Sequence, residues 1–120
     1  MYNWFETLAI CSWQQLTFQN IRNPGKMAEN ALGIRRSAKS RFTRKKNEVL
    51  KAITRNEGSK IIKKKFEELT DAWSTVEGKH DIYMIYLSEE EIIANEKWIE
   101  ELQEEYNIAS AVYAKFENEH

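Results

Sequence analysis

One proline and four glycines in 120 residues leave little turn chemistry, which argues against many short strands and for long helices. The single cysteine, Cys11, cannot form an internal disulfide, so packing has to stabilise the chain, and a reducing compartment fits. No run approaches the roughly eighteen apolar residues needed to cross a bilayer. The opening stretch, Met1 to Glu6, lacks the basic start of a signal peptide. There is no glycine-rich phosphate loop, no Ser-His-Asp or Cys-His set and no CxxC. His80 and His120 are the only histidines, and with the second at the terminus a paired-histidine metal site has no support. The expectation is an intracellular protein, cytoplasmic or nuclear, with no transmembrane segment. No enzyme activity, cofactor or small-molecule substrate is expected.

Net charge is also nearly lacking, at -1, but that sum conceals a division. Residues 22–65 carry fifteen basic and three acidic side chains; residues 66–120 carry fifteen acidic and three basic.

What the chain does have is apolar periodicity. Ile62, Phe66, Leu69, Trp73, Val76, His80, Tyr83 and Leu87 follow one another in alternating steps of four and three. That spacing places one seam along a helix every 3.5 residues, as in a coiled coil. A second seam, Ile92, Asn95, Ile99, Leu102, Tyr106, Ala109, Tyr113 and Phe116, keeps the same rhythm. The five-residue step from Leu87 to Ile92 breaks the register between them. Ser88 followed by Glu91 matches a capping box at that break. A thinner seam precedes both: Ala31, Ile34, Ala38, Phe42, Val49 and Ile53, with Lys45 intruding.

Three helices are therefore predicted, over about 27–56, 60–87 and 89–116. Gly58 is expected to close the first, with Ser59 capping the second. Asn23-Pro24-Gly25 marks a boundary, either a turn or a helix start with Pro24 in first position. Before it, residues 1–25 form an aromatic-rich segment in which Phe5, Ala9, Trp13 and Leu16 share a helical face. It reads as an extra helical arm packed on the body. An interfacial membrane anchor fits less well, because no Lys or Arg precedes Arg22.

Near-equal helix lengths and short connections suit an all-α, antiparallel three-helix coiled-coil-like bundle over residues 26–120. If the second and third helices reverse around Ser88, facing positions add to about 178. This sets Ile62 beside Phe116 and His80 near Trp98. Reversal around Gly58 makes facing positions of the first two helices add to about 117. The first helix then runs parallel to the third, each residue level with the one about 61 further on. Lys39 comes level with Glu100 and Arg44 with Glu105, so the basic run meets the acidic one.

The basic residues Arg35, Arg36, Lys39, Arg41, Arg44, Lys45, Lys46, Lys63, Lys64 and Lys65 admit two readings. They face the acidic helix and set its register, or they form an anion-binding surface for nucleic acid or an anionic membrane. The cations surround the apolar arc, so some must face solvent in either case. His80 and Asn95 read as polar layers that fix register. Glu89-Glu90-Glu91 and Glu100, Glu101, Glu104 and Glu105 read as solvated helix faces rather than catalytic carboxylates.

The segments RRSAKSRFTRKKNEVLKAI, KKFEELTDAWSTVEGKHDIYM and SEEEIIANEKWIEELQEEYNIASAVY occur in that order. In order and character, roughly from Ile34 to Phe116, this resembles the helical N-terminal region of Gag-like polyproteins. Such polyproteins belong to BEL/Pao-type retrotransposons and related uncharacterised animal proteins. The motifs are a basic helix, an E-x-x-x-x-W ending at Trp73, and an acidic helix carrying Trp98. The resemblance implies a non-enzymatic assembly or packaging segment and transfers no catalytic residue. The chain departs from it in having no cysteine-histidine zinc knuckle, and residues 1–25 have no counterpart in it. The functional expectation is association with itself or with another helical protein. The alternative is a nucleic-acid-binding module using the basic face of residues 35–65.

Overall fold

The structure, a computed structural model, describes residues 24–119, so nearly all of the expected N-terminal arm lies outside the described residues. Three helices account for them: α1 (Pro24–Thr54), α2 (Ser59–Met84) and α3 (Glu89–Glu119). The fold is all-α, an antiparallel bundle in which α1 and α3 run the same way.

The two interfaces differ because their side chains differ in size. α1 and α2 are the most closely apposed pair. Ala38, Val49 and Ala52 on α1 and Ala72 and Val76 on α2 are buried, and small side chains there allow close approach. α3 meets α2 through rings instead. Phe66 stacks on Tyr113 with centroids 4.2 Å apart, and Trp73 stacks on Tyr106 at 5.6 Å. Phe42 reaches from α1 to Trp73 at 5.3 Å and Tyr106 at 6.4 Å, which ties the third side of the bundle. The Tyr106 hydroxyl shares a hydrogen bond of 2.9 Å with Thr70, so its polar end is satisfied.

The predicted register between α2 and α3 holds. His80 stacks on Trp98 with centroids 5.5 Å apart, and Ile62 shares a cluster with Tyr113 and Phe116. Of the α2 seam, Ile62, Leu69, Trp73, Val76 and His80 are buried, while Phe66, Tyr83 and Leu87 are partly so. Between α1 and α2 the contacts of Phe42 with Trp73 and Lys45 with Glu68 add to 115 and 113, not 117.

The first turn explains that offset. Asn56, with φ of 53°, and not Gly58, is the left-handed residue that closes α1. The Glu57 N–H donates to the Ala52 carbonyl and the Asn56 N–H to the Ile53 carbonyl, both at 3.1 Å, which is a Schellman closure. The chain therefore reverses earlier than expected. Gly58, at φ 112° and ψ 139°, occupies the N-cap position, and Ser59 is already helical, so it does not cap. Only glycine adopts such a φ without strain.

At the second turn the expectation is met in detail. The Glu91 N–H donates to Ser88 Oγ at 3.2 Å, and the Ser88 N–H donates to Glu91 Oε1 at 3.0 Å. The Ser88 N–H and, at 3.0 Å, the Ser88 hydroxyl both donate to Glu91 Oε1, which holds the Glu91 carboxyl below its ordinary pKa. α2 stops at Met84, three residues before the predicted end. The N–H groups of Ile85, Tyr86 and Leu87 donate to carbonyls three residues back, a tightened last turn carrying the seam residue Leu87.

Gly78 lies inside α2, exposed, and a Cβ there would meet nothing within 4 Å. Gly78→Ala is accordingly expected to raise unfolding stability by about 0.5–1 kcal/mol, read as a higher urea midpoint at unchanged slope.

Candidate functional site: a buried polar layer and a basic face

The α1 seam departs from expectation at two positions: Ala52, 1% exposed, stands in the core in place of the half-buried Ile53, and Arg35 in place of Ile34. Ile34 is 52% exposed, whereas Arg35 is 5% exposed and points into the bundle. Ala31, Arg35, Ala38, Phe42, Lys45, Val49 and Ala52 follow strict steps of four and three. Geometry therefore sends Arg35 inward and Ile34 to the flank.

Arg35 meets one polar residue from each of the other helices. Its Nη1 donates to His80 Nδ1 on α2 and to Asn95 Oδ1 on α3, each at 3.1 Å. Both hydrogens of that nitrogen are thereby used. The guanidinium carbon lies 3.9 Å from the Trp98 ring centroid and 4.5 Å from that of Tyr83. Asn95 is in turn fixed by Nδ2 donating to the Glu91 carbonyl at 2.8 Å. His80 and Asn95, singled out as polar register elements, thus meet in one layer around a cation.

Among the described residues, no carboxylate forms an ion pair with that cation. Its compensation there is the two ring faces and two neutral acceptors, and its buried Nε lacks a hydrogen-bond partner among them. Burial pushes the Arg35 pKa below its ordinary value. An arginine only donates, so His80 must present a bare Nδ1 and carry its proton on Nε2. Burial, and then the neighbouring Arg35 charge, push the His80 pKa below its ordinary value, with Asp81 opposing weakly.

The other predicted basic residues take different places. Lys46 donates to Glu105 on α3 at 2.6 Å, and Lys45 to Glu68 on α2 at 3.2 Å. The first of these joins the basic helix to the acidic one, as the charge order requires, through Lys46 rather than Arg44. Among the described residues, Lys39 and Arg44 form no ion pair with Glu100 or Glu105. Arg36, Lys39, Arg44, Lys63 and Lys64 are exposed; Arg41 and Lys65 are half-buried. The structure therefore divides the ten candidates into one inside the bundle, two in bridges between helices and seven at or near the surface.

Among the described residues, no group of three or more His, Cys, Asp or Glu is placed to hold a metal. None of the described helices is long and apolar enough to cross a membrane. No family model, curated protein or solved structure matches the chain.

Proposed function

We propose that this chain is a non-enzymatic intracellular module for protein–protein association, of the Gag-like assembly kind its sequence resembles. The observation that carries the reading is apolar surface without a partner in the bundle. Seven large aliphatic side chains are exposed among the described residues; Ile34, Ile82, Ile85 and Ile93, at 46–68%, lie in the half of the bundle holding the α2–α3 turn, and Ile61, Ile108 and Val112 lie toward the other end. Large aliphatic side chains left at the surface, the two most exposed of them flanking that turn, support a contact with a second helical surface, from another copy or a different protein. The sorting of exposed cations onto α1 and exposed carboxylates, among them Glu96, Glu100 and Glu104, onto α3 adds orientation to such a contact.

Sedimentation over a concentration series tests this. Mass above the monomer is expected, falling back on Ile85→Asp with Ile93→Asp. A chain that stays monomeric, and whose pairing with helical partners ignores those two changes, would refute the reading.

A second reading, contact with nucleic acid, is favoured by the exposed Arg36, Lys39, Arg44, Lys63 and Lys64, none of them ion-paired among the described residues. It requires affinity for a generic oligonucleotide that falls steeply with salt. No binding at low salt would remove it.

A further inference from the structure

We infer that His80 is an acid-sensitive latch: protonating it releases the front half of α3 from the rest of the bundle. This stands independently of what the module associates with.

The front half of α3 is weakly held. Its buried residues begin at Leu102; from Glu89 to Glu101 none is fully buried. Ile92, Asn95, Trp98 and Ile99 are only half-covered there. Trp98 and Ile99 pack against the edge of the core, and the polar attachments of this stretch run through the layer: Arg35 to Asn95, Arg35 against Trp98, and His80 stacked on Trp98. By contrast the back half is fixed by Leu102, Ala109, Tyr113 and Phe116 in the core.

One proton breaks the bond that seats Arg35, on which two of these three attachments depend. A protonated imidazole has no acceptor, so the 3.1 Å hydrogen bond from Arg35 becomes a contact between two cations. Charges that close in a partly buried site repel strongly, and neither can be neutralised locally. From α1 the charged group at the ring is Arg35, on which the neighbouring Arg36 also acts. From α2 it is Asp81, which is exposed; the uncharged Tyr83 engages Arg35 through its ring. α3 offers Asn95 and Trp98, neither of which carries charge, and the Glu91 carboxylate is occupied by Ser88. The exposed Glu96 is the next acid along α3. Among the described residues no carboxylate pairs with the ring to replace the lost acceptor, so the repulsion is relieved by separating Arg35 from His80, which carries Trp98 and α3 away.

The sign follows from linkage. The folded chain binds the His80 proton less readily than the unfolded chain, so the latch is whole above the ordinary histidine pKa of about 6.5. It weakens as pH falls through that value and continues to weaken down to the lowered folded value. One proton changes the opening equilibrium by up to about tenfold per pH unit.

The test uses the full chain with His120→Asn, which leaves His80 as its single histidine. Imidazole nitrogen resonances should show the Nε2–H form and a protonation midpoint below about 6.5. Hydrogen exchange, corrected for intrinsic rates, should show residues 92–101 opening up to about tenfold more per pH unit between pH 6.5 and 5. The middle of α2 and residues 106–116 should not follow. His80→Gln retains an acceptor for Arg35 but cannot titrate, and should abolish this extra pH dependence. Arg35→Met should raise the His80 midpoint, a readout that does not depend on the glutamine variant folding. A midpoint at or above the ordinary value would overturn the inference, as would equal pH dependence of α3 opening in His80→Gln.

Discussion

Phe42→Ala is expected to destabilise the bundle by about 3–5 kcal/mol, measured by urea unfolding. Phe42 is fully buried and contacts Trp73 on α2 and Tyr106 on α3. Its loss opens a cavity where all three helices meet, and the stacked Trp73–Tyr106 pair cannot collapse into it without losing its own geometry. A domain of this size has about 5–15 kcal/mol in total, so much of the folded population is at stake. The same change at Ile34, half-exposed on the same helix, should cost under about 0.5 kcal/mol. Equal losses at the two positions would contradict the assignment of Phe42 to the core and Ile34 to the flank.

The second large effect concerns the polar layer. His80→Leu is expected to cost about 2–3 kcal/mol at neutral pH, because Arg35 stays buried and loses an acceptor. Adding Arg35→Met should recover most of that loss, since a packed apolar pair replaces a cation with incomplete compensation. Arg35→Met alone should cost about 1 kcal/mol, since it strips His80 and Asn95 of their donor while removing a buried cation with incomplete compensation. The cycle should therefore give a coupling above about 1 kcal/mol. Additive effects would mean that the 3.1 Å contact between Arg35 and His80 contributes nothing.

Much of this architecture was legible in the spacing of the α2 seam. Period 3.5 over eight positions left one choice of inward face, and five of those residues are fully buried. The Ser88–Glu91 box fixed where α3 begins because both of its bonds are local. Register between α2 and α3 follows from that turn, which is why the sequence alone pairs His80 with Trp98.

Where the sequence misled, a chemical preference competed with geometry. Ile34 was chosen over Arg35 for its hydrophobicity, although Arg35 keeps the strict steps shared by Ala31, Ala38 and Phe42. An arginine fits inside here because two ring faces and two neutral acceptors converge on it, and three separate helices supply them. That convergence is tertiary, so local propensity carried no trace of it. The α1–α2 turn misled for a related reason. Glycine is the common closing residue, but Asn56 adopts the left-handed conformation two positions earlier. The charge division did foretell that α1 lies along α3. It did not select Lys46 over Arg44 as the bridging residue, which depends on that turn.

The measurement that bears most directly on the whole account is the proton-to-proton contact between the His80 imidazole and the Trp98 indole in solution. These rings come from different helices, and the layer centred on Arg35 requires their centroids to lie about 5.5 Å apart. The account predicts strong cross-relaxation between the two rings at pH 7.5, together with a slowly exchanging Arg35 Nε–H. Absence of that cross-relaxation, with both rings and the guanidinium exchanging freely with water, would contradict it.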